Sequence, residues 1–352
     1  MSKFWSNTTR SITPYVPGEQ PGAKKVIKLN TNENPYPPSE KVLSAMKAAV
    51  SDRLKLYPDP ECTGIRAAAS EVFGLPADHI FAGNGSDEIL AFCFKAFFNP
   101  EEPILFADIT YSFYEVYAGL FDIPYRKIPL TDSFDLQTEA YFEPNGGILI
   151  ANPNAPTSKF TPLEVIREIL ERNPDKVVVI DEAYVDFGGE SSVKLIPDYP
   201  NLLVIQTFSK SRSLAGLRLG LAMGQPDLIE GLNRIKNSFN SYTLDAVAQA
   251  GGEASLRDGE AFAENVGRVI RTREASVKRL KELGFEVLDS RANFVFASHT
   301  TVPASDIFHA LRERDIIVRY FSKPRIDNYL RISIGTDEEM AALCGALEEI
   351  LV

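Results

Sequence analysis

The chain has 352 residues, 44% hydrophobic and 24% charged, which is globular composition on a scale that favours two cores over one. A formal net charge of −11 without any Lys/Arg-rich block argues against nucleic acid or an anionic membrane surface as partner. No apolar run nears the ~20 residues of a membrane span, MSKFWSNTTR lacks a secretory core, and the three cysteines and three scattered histidines suit a metal-free cytoplasmic protein without disulfides.

Residues 1–30 are rich in Pro, Gly, Asn and Thr, and ITPYVPGEQPGAKK reads as an extended arm that must lie on something else. TNENPYPPSE is turn chemistry that leads into a helix from Glu40 to Val50. From His79 onward, short β-rich runs alternate with helical ones. Strands are predicted at His79–Ala82, Ile104–Phe106, Gly147–Ile150, Val177–Ile180, Leu202–Ile205 and Leu219–Met223. Helices are predicted between them at Ser86–Phe98, Pro162–Glu171 and Pro226–Lys236. Continuous apolar runs such as KVVVI are what strands covered on both faces show. The alternation predicts an α/β domain over residues 31–245, a mostly parallel sheet with helices on both faces.

Near Asp245 the pattern changes. A charged amphipathic stretch, Glu260–Leu283, precedes FEVL, NFVFA and a helix at Ala304–Arg314. IIVRY, LRISIG and a last helix at Glu338–Leu351 complete a smaller α+β domain over 246–352. No internal repeat or low-complexity segment is present.

Several polar residues fall just beyond predicted strands, on the edge where open α/β sheets bind ligands. Asp181 ends VVVID, and Tyr184 follows it. A carboxylate and a phenol there could hold a heteroaromatic ring by a nitrogen and an oxygen, although a strand-terminal Asp also serves as a simple turn cap. Lys210, in TFSKSRSLAGLRLG, offers an amine able to form an imine with an aldehyde, flanked by Ser209 and Arg218, a hydroxyl and a bidentate cation suited to phosphate. In AGNGSDEIL, Gly85 and Ser86 stand where a strand turns into a helix; Ser86 is the expected N-cap, and the free helix N–H groups make an anion site. No GxGxxG or GxxxxGK[ST] occurs. Tyr111 could stack on a flat ring, Asn154 in ANPNAPTS could hydrogen-bond a ligand oxygen, and Arg331 in LRISIG could clamp a carboxylate. Alone, each admits a plainer structural role; their recurrence after successive strands points to one crevice.

This arrangement resembles the fold-type I pyridoxal-phosphate aminotransferases, and most closely the histidinol-phosphate aminotransferase family. ITPY, LNTNENP, LYPDP, GNGSDE, NPNAPTS, DEAYVDF, SKSRSLAGLRLG and LRISIGT carry the resemblance over nearly the whole chain. It implies that Lys210 binds the cofactor aldehyde as an imine and then moves the substrate proton. Asp181 would pair with the ring nitrogen, Tyr184 with the ring hydroxyl oxygen, and Tyr111 would stack on the ring. Gly85, Ser86, Ser209 and Arg218 would hold the cofactor phosphate, with Tyr57 reaching it from a neighbouring subunit. Arg331 would bind the substrate anion; Tyr15, Asn32 and Arg319 are further substrate-side candidates. The implied partners are a small amino donor and a 2-oxo acid, L-histidinol phosphate and 2-oxoglutarate, and the implied assembly is a homodimer with shared active sites.

Two positions depart from the family pattern. Ala155 stands where an Asn usually precedes the Pro, so Asn154 is expected to take over the bond to the ring oxygen. Arg212 stands where small or apolar residues are usual, facing either the phosphate or solvent. An aromatic amino-acid aminotransferase and a pyridoxal-phosphate decarboxylase of a phosphorylated amino acid share every cofactor residue. A non-catalytic ligand-binding protein and a dinucleotide oxidoreductase are alternatives of other classes, the first disfavoured by Lys210 with Asp181 and Tyr184, the second by the missing glycine fingerprint.

Overall fold

The structure is a computed structural model that describes residues 2–22 and 25–351. A short helix α1 (Asn7–Ser11) is followed by β1 (Ile27–Lys28), α2 (Glu40–Ala49), α3 (Thr63–Phe73), β2 (Ile80–Gly83) and α4 (Gly85–Ala96). Next come β3 (Ile104–Ala107), α5 (Phe113–Phe121), β4 (Tyr125–Ile128), β5 (Ile148–Ala151), α6 (Leu163–Arg172), β6 (Val178–Asp181), β7 (Leu202–Thr207) and β8 (Gly220–Gly224). Helices α7 (Pro226–Phe239), α8 (Ala246–Arg257) and α9 (Gly259–Glu282) lead to β9 (Phe285–Val287) and β10 (Phe294–His299). The chain ends with α10 (Ala304–Glu313), β11 (Ile316–Ile317), β12 (Arg319–Tyr320), β13 (Leu330–Ser333) and α11 (Asp337–Ile350).

Seven strands form one sheet in the order β2-β8-β7-β6-β5-β3-β4. Only β8 runs against its neighbours. The predicted strands therefore form the mixed, mostly parallel sheet that the sequence implies. Apolar side chains pack on both faces: Val178, Ile180, Leu202 and Val204 on one, Val179, Leu203 and Ile205 on the other. Each fully buried aliphatic side chain of this kind contributes about 1.5–3 kcal/mol, so the sheet centre is strongly held.

A second sheet, β12-β13-β10-β9, is antiparallel throughout. It packs with α10 and α11 around Val295, Leu330, Ile332, Ile307 and Leu343. β1 pairs in parallel with β11, and Leu29 is buried in this same core. The end of the N-terminal arm thus joins the C-terminal unit. Among the described residues, no helix is long and apolar enough to cross a membrane.

Besides α1 and β1 within the arm, four elements lie outside the predicted set. Helix α3 starts without a side-chain cap, after Cys62 in a left-handed conformation, so it carries no N-terminal signal. Helix α5, FYEVYAGLF, is aromatic enough to read as strand, and burial of Tyr114 and Tyr117 overrides that propensity. Strand β4 is a largely exposed edge strand of four residues, too short for a period. Helix α8 holds Gly251 and Gly252, poor helix formers, yet Asp245 caps it through the N–H groups of Val247 and Ala248. The glycines allow close approach: a Cβ at Gly252 would lie 2.2 Å from the Leu219 side chain.

Gly220 joins this sheet to the site described next. A Cβ there would lie 2.6 Å from Ser86 N and 2.7 Å from Gly85 C, both backbone atoms that cannot swing aside. Gly220→Ala should therefore destabilise the protein by about 1–3 kcal/mol, read as a lower chemical-denaturation midpoint. Gly216→Ala, where no atom lies within 4 Å, is the control. Equal midpoints for both variants would show that the α4 N-terminus is free to move.

Candidate active site

Strands β2, β3, β5, β6 and β7 all point the same way, so their carboxyl ends open onto one edge of the sheet. A cavity of about 400 Å³ lies there. Ser86, Tyr111, Asp181, Tyr184, Ser209, Lys210 and Arg218 line it from the large sheet, and Arg319 and Arg331 from the second sheet. Tyr15 of the arm and Asn32 complete the wall. Ser86, Asp181, Ser209 and Arg331 thus share one chamber although 245 positions separate the first from the last.

One end of the cavity suits an anion. Gly85 opens helix α4 with φ +78°, a conformation that favours glycine, and a Cβ there would lie 2.8 Å from Arg218 Nη2. Arg218, itself left-handed at φ 55°, donates to Ser209 Oγ at 3.3 Å and to Asp87 Oδ2 at 3.1 Å. Ser86 is not the N-cap the sequence suggests. Asn84 takes that position, its N–H donating to Glu88 Oε2 at 2.7 Å, and Ser86 lies inside the first turn. No side chain caps α4, so its first N–H groups remain available to an anion.

The middle of the cavity suits a flat ring. Asp181 is buried at the end of β6, where Tyr114 donates its hydroxyl to Oδ2 at 2.9 Å and Ala183 N–H approaches Oδ1 at 3.3 Å. Burial pushes its carboxyl up to about 6, against the pull of the Tyr114 bond. The Tyr184 hydroxyl accepts a hydrogen bond from Asn32 Nδ2 at 3.1 Å, and its ring stands edge-on to Phe294 at 5.0 Å. Tyr111 donates to Asp87 Oδ1 at 2.9 Å, which fixes its ring along one wall.

Lys210 supplies the amine. Its Nζ donates to the Thr31 carbonyl at 3.0 Å, and burial first, the Arg331 charge second, bring it down to about 8. An amine near that value is in large part a free nucleophile and base at mildly alkaline pH. Asn34 holds the lysine loop by donating to the Lys210 and Ser211 carbonyls.

Beyond the lysine, Arg319 on β12 lies directly opposite Arg331 on β13. Arg331 donates Nη2 to the Asn30 carbonyl at 2.8 Å, while its buried Nε has no partner. Neither arginine is within ion-pair distance of a carboxylate among the described residues. Two opposed guanidiniums repel, an arrangement that a dianion between them relieves.

Other residues fall elsewhere. Asn154 does not line the cavity: its Oδ1 accepts from Thr110 Oγ1 at 2.8 Å, and its Nδ2 donates to Ile109 O and Thr157 Oγ1. Those bonds knit the Pro153–Pro156 loop, whose Pro153, Ala155 and Pro156 form the wall instead. Arg212 lies outside the cavity and packs, partly buried, against aromatic rings. Its guanidinium lies against Phe262 at 4.3 Å and Phe208 at 5.4 Å and donates to Ser255 O at 2.7 Å. Tyr57 is 82% exposed, outside the cavity, and stacked on Tyr242 at 4.5 Å.

Sequence reasoning passed over Asp87, Tyr114, Asn34 and Glu182. Asp87 follows Ser86 in GNGSDE, and Tyr114 lies one helical turn beyond Tyr111, so adjacency to chosen residues was the available signal. Glu182 is buried, pushed up to about 7 by that burial, and takes bonds from Ser191 Oγ, Ser192 N and Gln206 Nε2. It braces the loop that carries Tyr184.

A flat aromatic aldehyde bearing a phosphate fits this donor set. The uncapped α4 N-terminus with Arg218 and Ser209 matches the phosphate, Asp181 a ring nitrogen, Tyr184 a ring oxygen and Lys210 the aldehyde. A side chain at position 85 would displace the Arg218 guanidinium that closes this anion end.

Comparison with known proteins gives the same direction. The family described as aminotransferase class I and II matches residues 24–347. The histidinol-phosphate aminotransferase of Clostridium acetobutylicum is 55% identical over 351 residues, with 100% of both chains covered. That of Clostridium beijerinckii is 56% identical, covering 100% of this chain and 98% of its own. Among solved structures, the histidinol-phosphate aminotransferase of Sinorhizobium meliloti in complex with pyridoxal-5'-phosphate superposes with a TM-score of 0.89 at 22% identity, over 100% of this chain and 98% of that one. Aspartate aminotransferase from Thermus thermophilus with maleate gives 0.83 at 18%, over 99% and 100%. These two likenesses speak for the fold.

The lowered Lys210 value carries a stability consequence. Between about 8 and the usual lysine value of 10.5, the unfolded chain binds the proton that the folded chain releases. Folding stability from this group therefore rises with pH across that window. In cofactor-free protein, Lys210→Met should melt above the wild type at pH 7, and the gap should narrow as pH rises from 8 to 10.5. A gap that stays constant across that range would mean the amine is not held down by its surroundings.

Proposed function

The chain belongs to the class I and II aminotransferases and, within them, to the histidinol-phosphate aminotransferases; from that premise we propose that it is a pyridoxal-phosphate enzyme moving the amino group of L-histidinol phosphate to 2-oxoglutarate. The products are imidazole-acetol phosphate and L-glutamate, as in histidine biosynthesis. The observation that carries the substrate reading is the Arg319–Arg331 pair, two opposed guanidiniums without a carboxylate partner among the described residues. A phosphate dianion answers both charges, and so do the two carboxylates of 2-oxoglutarate. The lone carboxylate of an aromatic amino acid answers only one.

Bound pyridoxal phosphate supplies an aldehyde that takes the amino group and a protonated ring that draws in the electron pair left at the donor's Cα. The chain's own residues do the rest. Arg218, Ser209, Gly85, Ser86 and the α4 N-terminus hold the cofactor phosphate. Asp181, buried and ionised, keeps a proton on the ring nitrogen, and Tyr184 hydrogen-bonds the ring oxygen. Tyr111 limits the ring on one side. Lys210 would hold the cofactor's aldehyde group and serve as the base for the donor's Cα proton; its lowered pKa leaves it competent to take a proton and to give one back. Arg331 and Arg319 fix the substrate anion, with Tyr15 and Asn32 closing the near wall. Asn154 acts on the loop rather than on the ring.

We further propose a cytoplasmic homodimer. Tyr57 is exposed and stacked on the exposed Tyr242, and Leu54, Leu56 and Phe239 are exposed apolar side chains as well; a second copy would cover such surface so that Tyr57 reaches the neighbouring site's phosphate. The three cysteines, buried and unpaired, suit a reducing compartment. The domain division at about residues 30 and 245 goes with this reading, the large unit holding cofactor and the small one substrate.

The decisive experiment follows glutamate formation from 2-oxoglutarate with L-histidinol phosphate or L-phenylalanine as donor. Strong preference for the phosphate is expected. Preference for phenylalanine would move the enzyme to the aromatic class, and silence with both donors despite cofactor absorbance would point to the decarboxylase. Arg319→Gln and Arg331→Gln should each raise KM for histidinol phosphate by at least about tenfold, and Lys210→Ala should abolish turnover. Mixing Lys210→Ala with Tyr57→Ala chains at limiting cofactor should restore activity above either alone, since one site of each mixed dimer is then intact. No restoration would place Tyr57 outside the partner's site.

A further inference from the structure

The Tyr114 hydroxyl is a buried polar group with a single hydrogen-bond partner among the described residues. Helix α5 carries it 0% exposed into the large core, among Phe106 at 5.9 Å and Tyr111 at 5.7 Å between ring centroids. A phenylalanine would make the same ring contacts, so packing does not account for the oxygen. What accounts for it is Asp181 Oδ2, 2.9 Å away and 67 residues along the chain. We propose that Tyr114 is a positioning residue that keeps Asp181 ionised and fixed in orientation, and so sets the pH range over which the site holds its cofactor's ring nitrogen.

The surroundings of Asp181 make this bond matter. Burial opposes its charge. On its own loop it meets Tyr184 and the Ala183 N–H, the latter at a long 3.3 Å. From α4 it faces Asp87, which opposes ionisation further, and the neutral Cys93. From α5 it faces Tyr114 and Tyr117. No cation counters it from these elements, which leaves the Tyr114 hydroxyl as the short bond to its charge. The same bond stops the carboxyl from rotating, leaving its remaining lone pairs for the cavity that Asp181 lines. Its own burial first, and the Asp181 charge second, push Tyr114 upward in turn, so the phenol stays a donor throughout the working pH range.

The proposal rests on the pyridoxal-phosphate reading above, and its test separates the two. Apo-enzyme is titrated with pyridoxal phosphate across pH 5 to 9, and affinity is read from absorbance or fluorescence. The wild type should lose affinity on the acid side as Asp181 takes a proton. In Tyr114→Phe that acid limb should move to higher pH by about one to two units, the equivalent of one hydrogen bond to a charged group. Asp181→Asn should lack the limb, and Tyr114→Phe should add no further shift in that background. A fall in affinity equal at every pH, or an effect that persists beside Asp181→Asn, would make Tyr114 a packing residue and overturn the proposal. Failure of the wild type to bind pyridoxal phosphate at all would overturn the cofactor reading and the proposal with it.

Discussion

A parallel sheet delivers the carboxyl end of every strand to one edge, and the site depends on that geometric constraint. β2, β3, β5, β6 and β7 share a direction, so residues spread from Ser86 to Lys210 meet although they come from strand ends far apart in the chain. The constraint holds because both faces of the sheet are buried: Val179 and Leu203 on one side, Ile180 and Val204 on the other, leave the strand ends as its accessible part. The antiparallel β8 is the exception, and it has its own use. It carries Gly220 against the start of α4 and follows the loop that holds Arg218, closing the anion end.

Charge in the cavity is independent of charge on the whole. The chain carries a net −11, yet Lys210, Arg218, Arg319 and Arg331 all line one chamber with Asp87, Asp181 and Glu33. The positive groups are unequally partnered. Arg218 has Asp87, while the Arg319–Arg331 pair has backbone and aromatic neighbours, Asn30 O, Phe294 and Phe321. Anions are therefore drawn most strongly to the second-sheet side, and the repulsion between guanidiniums falls when an anion lies there. Lys210 feels the same field, which adds to the larger effect of burial in making its amine give up its proton more readily than an ordinary lysine.

Aromatic side chains translate this field into orientation. Tyr111 and Tyr114 stand edge-on to each other on one helix and its lead-in, and each donates its hydroxyl to a different acid, Asp87 and Asp181. One phenol steadies the wall of the ring slot and the other steadies the acid at its back. Tyr15 leans on the same cluster from the arm, stacked on Phe113 at 4.6 Å, so the arm's position is coupled to that wall.

The sequence by itself determined the strand order along the chain, the crevice edge and the chemical types around it. Those features are local: an apolar run of four or five residues followed by polar ones marks a buried strand and its end. It also marked Lys210, Asp181, Tyr184 and Arg218, because each lies within a few residues of such an end. Tertiary structure alone decided which side chains face the chamber. Asn154 turned away because Thr110, Ile109 and Thr157 satisfy it, and Arg212 packs away from the chamber against Phe208 and Phe262. Helices α5 and α8 formed against weak propensity because burial and close packing outweigh a few tenths of a kcal/mol per residue. The pairing of Tyr114 with Asp181 and of Arg319 with Arg331 depends on which elements lie side by side, and that is fixed by packing across the whole chain rather than by any local period.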